Sequence, residues 1–81
     1  MDRNAFYLEL EELLQLPQGT IRGDQALKKV RHWDSLAVVS VIVLADNKYG
    51  VTLKPDHVGA CQTVDDLVVS IEERQNHHDR N

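Results

Sequence analysis

Apolar residues recur along this chain with helical spacing in three stretches, separated by segments that break the period. In the first, Phe6, Leu10, Leu13 and Leu14 fall at i, i+4, i+7 and i+8, and Glu9, Glu11 and Glu12 are assigned to the solvent side. Leu16-Pro17-Gln18-Gly19 closes this helix, because proline cannot continue it and glycine permits the turn. Residues 17–34 carry no sustained period. Ile21, Leu27, Val30 and Trp33 punctuate them, which predicts a long connection pinned to the core.

The second helix is expected from Ser35 to Tyr49, with Gly50 as its C-terminal glycine. Val38, Val41, Ile42, Ala45 and Tyr49 share the face assigned to the core. Leu36, Val39 and Val43 form a separate strip at i, i+3 and i+7, beside Ser35. Three aliphatics facing water on a lone helix would be wasted, so the strip reads as a contact surface.

After Val51-Thr52-Leu53, Pro55 and Gly59 predict one or two short helical turns. Thr63 is expected to cap the last helix, with Asp66 completing a capping-box pair. Val64, Leu67, Val68 and Ile71 supply its buried face. From residue 76 the tail is polar, and a disordered terminus is expected there.

Eighty-one residues predict one small domain, without room for a deep catalytic cavity. The net charge of −4 gives a nucleic-acid partner no electrostatic support. No apolar run is long enough to span a bilayer, and the polar start is unlike a signal peptide. Cys61 is the lone cysteine, which leaves no internal disulfide and suits a small core position. A cytoplasmic protein is expected. His32 and His57 are isolated, and His77 and His78 lie in the polar tail, so no metal-ligand set emerges.

Trp33-Asp34-Ser35-Leu36 carries the candidate chemistry. A hydroxyl on the first residue of a helix sits at the positive end of the helix dipole, where free backbone N–H groups favour a phosphate. The plain alternative is that Ser35 is an ordinary N-cap. A catalytic nucleophile is the poorer reading, because nothing in the sequence supplies a general base. Trp33 is more simply a loop anchor than a contact residue, and Lys28, Lys29 and Arg31 more simply a solvated loop face.

Long helix, long loop, Asp34-Ser35-Leu36 opening a second long helix, a short third helix and a threonine-capped fourth: this order resembles the acyl carrier proteins. The resemblance spans about residues 4–74 and includes Tyr49-Gly50-Val51, Leu53 with Pro55-Asp56, and Thr63-Val64-Asp65-Asp66-Leu67. It implies an all-α four-helix carrier bundle over residues 1–75, with three longer helices, a short third helix and a long loop between the first two. It also implies that a phosphopantetheinyl transferase attaches 4'-phosphopantetheine from coenzyme A to Ser35. Asp34 would help position metal and coenzyme A in that transferase. Leu36 would dock into its hydrophobic pocket and into those of acyl-loading, ketosynthase or acyltransferase-type enzymes. Trp33, Val39, Val43 and Asp46 complete the expected partner surface. The chain itself would catalyse nothing and would act as a monomer, without membrane or nucleic acid.

Housekeeping fatty-acid carriers usually line this helix with acids, whereas here only Asp34 and Asp46 flank it. Ala37 and Ser40 stand where acids are common. That departure favours a specialised lipid, polyketide or cell-surface pathway and recognition through the aliphatic strip. The start at Met1 without a linker suggests a discrete chain. Two rivals remain: a peptidyl or aminoacyl carrier of the same fold, and a helical adaptor that never receives the arm.

Overall fold

The computed structural model describes residues 1–79, with side-chain environments through Gln75. These residues form four helices and no strand: α1 (Arg3–Leu14), α2 (Ser35–Tyr49), α3 (Pro55–Gly59) and α4 (Val64–Asp79). The long connection between α1 and α2 holds a single 3-10 turn at Leu27–Lys29.

Local chemistry sets each boundary. The Asp2 carboxylate accepts from the Asn4 and Ala5 N–H groups and starts α1, while Gln15 ends it in the left-handed region at φ 59°. Gly50 closes α2 at φ 64°, donating to the Ala45 and Asp46 carbonyls, as the sequence predicts. At α4, Thr63 Oγ1 accepts from the Asp66 N–H at 3.2 Å. The Asp66 carboxylate in turn accepts from the N–H groups of Thr63 and Gln62 at 3.0 and 2.9 Å. The expected reciprocal cap is therefore present. α4 is described as far as Asp79, and residues 80 and 81 lie outside the described part of the chain.

α2 packs against each of the other three helices. Phe6, Leu10, Val41, Ala45, Val64, Leu67, Val68 and Ile71 are fully removed from solvent. Each larger aliphatic among them contributes about 2 kcal/mol through burial. The buried stripe of α2 is centred differently from expectation. Ala37, Val41 and Ala45 are its buried residues, while Val38, Ile42 and Tyr49 are half-buried flanks. Ala37 does not replace a surface acid; at 3% exposure it belongs to the core face. Cys61 is likewise half-buried and not a core residue.

Glu11 overturns its solvent assignment. It is 3% exposed, and its Oε2 accepts from the buried Ile21 N–H at 2.8 Å. A backbone donor drawn inward by Ile21 needs a partner, and Glu11 is the group that supplies it.

The loop is fixed at a second place by backbone pairing to the start of α4. Leu27 N–H donates to the Gln62 carbonyl at 2.8 Å, Val64 N–H to Gln25 at 3.0 Å, and Asp65 N–H to Gly23 at 2.9 Å. Gly23 lies against the Asp65 carboxylate, which would have to shift to admit a Cβ there. That carboxylate is itself held by the Tyr7 hydroxyl and by Arg3. The loop is thus anchored to α1 and α4 before it delivers residues 33–35.

Candidate functional site

The N-terminus of α2 is built by Asp34, which adopts an extended conformation and caps the helix. Its Oδ1 accepts from the Ala37 N–H at 2.9 Å, and its carbonyl accepts the first intrahelical bond, from Val38 at 3.0 Å. The capping function therefore belongs to Asp34. Ser35, the first helical residue, is exposed, and its Oγ makes no hydrogen bond among the described residues. The amides of Ser35 and Leu36 precede the first possible intrahelical bond and likewise have no described acceptor. Both residues are exposed at the positive end of a four-turn helix.

Leu36, Val39 and Val43 are 72%, 55% and 50% exposed, and they run down the outer face of α2. The other exposed large apolar residues, Leu8 and Val69, sit singly on α1 and α4. Single apolar residues are ordinary on protein surfaces, but three in a row on one helix form a patch. Asp46 is exposed near the far end of α2.

Two hollows flank this helix start. Trp33 and Val38, together with Leu27, Val58 and Cys61, line a cavity of about 520 Å³ whose rim carries Asp24 and Lys28. On the other side, Leu13, His32, Asp34, Leu36 and Ser40 border a depression of about 290 Å³. Trp33 is half-buried against the core, so it anchors the loop while forming a cavity wall. His32 turns the chain in the left-handed region at φ 67°, two residues ahead of the cap.

Several titrating groups are displaced from their usual behaviour, none of them at Ser35. Burial pushes the Cys61 thiol up, so it is a poorer nucleophile than a free thiol. The hydrogen bond to Asp65, followed by burial, raises the Tyr7 hydroxyl. Burial, then the hydrogen bond to Glu9, does the same for Tyr49. The Gln62 and Thr63 amides lower the Asp66 carboxyl. Each marks a structural contact. His57 Nδ1 accepts from the Lys54 N–H at 3.0 Å and is used in starting α3. Among the described residues no group of three His, Cys, Asp or Glu side chains is arranged to hold a metal ion. The side chains of His77 and His78 lie outside the described residues. No described helix is long and apolar enough to cross a membrane.

The structure thus brings together Trp33, Asp34, Ser35 and Leu36 at one helix end, with Val39 and Val43 continuing from them. It places Asp46 away from that end, at the opposite limit of the strip. Glu11, missed by the sequence reading, acts at a distance by fixing the loop. Compared with protein-family models, curated proteins and solved structures, the chain matches none.

Proposed function

We propose that this protein is a carrier that bears acyl intermediates as thioesters on a 4'-phosphopantetheine arm attached to Ser35. The observation that supports this most is the division of labour at the start of α2: Asp34 caps the helix, and the adjacent Ser35 hydroxyl is left exposed and unbonded. With Asp34 as the cap, capping does not account for Ser35.

The residues present fit a phosphodiester. Ser35 supplies the oxygen for attachment, while its own amide and that of Leu36 are free to donate to a phosphate oxygen. When bound, the arm would supply a terminal thiol on which an acyl group is activated for transfer. The chain's own contribution is to hold the attachment point exposed on the first turn of a capped helix. Leu36, Val39 and Val43 offer partners an apolar docking strip beside that point, with exposed Asp46 three residues beyond Val43. Tethering then raises the effective concentration of the cargo at each enzyme that docks. The cavity beneath Trp33 is the space this chain offers for sheltering part of that cargo.

On this reading the partners are a phosphopantetheinyl transferase and acyl-loading, ketosynthase or acyltransferase-type enzymes. The nearly acid-free outer face of α2 favours a dedicated pathway over general fatty-acid synthesis. Incubation with coenzyme A, Mg²⁺ and a broad-specificity transferase tests the reading by intact mass. A gain of one phosphopantetheinyl group is expected on the wild type and none on Ser35→Ala. No gain on the wild type, under conditions that load a control carrier, favours the adaptor.

A further inference from the structure

Helix α3 is five residues long, too short to hold its shape by its own hydrogen bonds. Pro55 has no amide to contribute. The His57 and Val58 N–H groups donate to the Lys54 carbonyl at 2.9 and 3.3 Å, and the Ala60 N–H donates to Asp56 at 3.0 Å. Two side chains hold this turn in place. Val58 is 3% exposed and belongs to the core. The half-buried His57 ring reaches back, and its Nδ1 accepts from the Lys54 N–H at 3.0 Å. That bond requires a neutral ring, because both nitrogens of an imidazolium are donors.

His57 shares a hollow of about 310 Å³ with Asp56 on its own helix, with Cys61, and with Asp66, Glu73 and Arg74 on α4. Asp66 is engaged by the Gln62 and Thr63 amides, and the Arg74 guanidinium by the Ser70 carbonyl and hydroxyl. Asp56 and Glu73 are exposed and enter no described ion pair, so a charged ring has carboxylates to turn to. Lys54, the residue being capped, adds a second positive charge that does not favour a cation at its amide. The same short helix matters elsewhere: Pro55, Val58 and Gly59 wall the 520 Å³ cavity beneath Trp33. We propose that His57 is a pH-sensitive latch on α3. Neutral, it closes the first turn; protonated, it releases the Lys54 amide and loosens this wall of the cavity. The latch is intact above the range in which imidazole ordinarily takes up a proton, near pH 6.5, and is lost as pH falls through it. It needs neither the arm nor a modified Ser35.

The test is amide hydrogen exchange on the unmodified full chain, followed by NMR at pH 7.5 and 5.5. Protection factors, corrected for the intrinsic exchange rate at each pH, are taken for Val58 and Ala60. Each is divided by those of Leu67 and Val68 in α4, which removes any change in global stability. In the wild type this ratio should fall about fivefold at the lower pH, the effect of one lost hydrogen bond. His57→Gln places an acceptor that does not titrate at the same helix position, and its ratio should not depend on pH. His57→Leu has no acceptor, and its ratio should be low at both pH values. A wild-type ratio that holds steady while the His57 ring titrates would overturn the proposal. So would an equal fall in His57→Gln, or a His57→Leu ratio that matches the wild type at pH 7.5. Because no arm is present, these outcomes are independent of whether Ser35 can be loaded.

Discussion

Glu11 reaches from α1 to the backbone N–H of Ile21, at 2.8 Å, and so fixes the first turn of the loop that delivers Ser35. The bond is buried, and the second carboxylate oxygen has no partner. Removing the side chain strands a buried donor, which costs about 2 kcal/mol. Glu11→Ala should lower the thermal midpoint by roughly 10 °C for a domain of this size. Glu11→Gln keeps an acceptor and should recover much of the loss. A Glu11→Ala midpoint within error of wild type would remove this contact from the account.

Gln15 ends α1 in the left-handed region, where a side chain is strained and glycine is not. Gln15→Gly is therefore expected to stabilise the protein by about 0.5–1 kcal/mol, read as a higher urea midpoint with an unchanged slope. A lower midpoint would show that the Gln15 side chain contributes something beyond ending the helix.

Asp66 carries a pH signature. Its carboxyl is held below the usual range by the Gln62 and Thr63 amides, so the folded pKa is depressed relative to the unfolded one. Its contribution is fully present above the ordinary value of about 3.9 and is lost as pH falls through the folded value. Wild type should lose stability in that acid window, and Asp66→Asn should show a flatter dependence there. Superimposable acid limbs for the two proteins would contradict the linkage.

Leu36 is the most exposed of the strip residues, at 72%. Leu36→Asp should leave the helical circular dichroism signal and thermal midpoint nearly unchanged while slowing modification of Ser35 by the transferase at least several-fold. Such a selective loss is expected when an apolar docking residue is replaced by a charge. Unfolding of the variant would place Leu36 in the core and contradict the orientation of α2.

Much of this arrangement was legible in the sequence where the signal is local. Asp34 and Ser35 at a helix start, Gly50 at its end, and the Thr63–Asp66 pair all depend on neighbours within four residues. The exposed strip also followed from spacing alone. Glu11 was not legible, because its partner is ten residues away and exists only once Ile21 is buried. The burial of Ala37 is not legible, because its small side chain weighs little beside Val38 and Ile42 in a hydrophobic pattern. Gly23 beneath Asp65 is a tertiary contact with no local trace.

The hydroxyl of Ser35 bears the weight of the functional reading, and peptide-level mass spectrometry after transferase treatment addresses it most directly. Fragmentation should locate one phosphopantetheinyl group on residue 35 itself, with the rest of the chain unmodified. A wild-type chain that stays unmodified while a control carrier is loaded, or one modified at another residue, would contradict it.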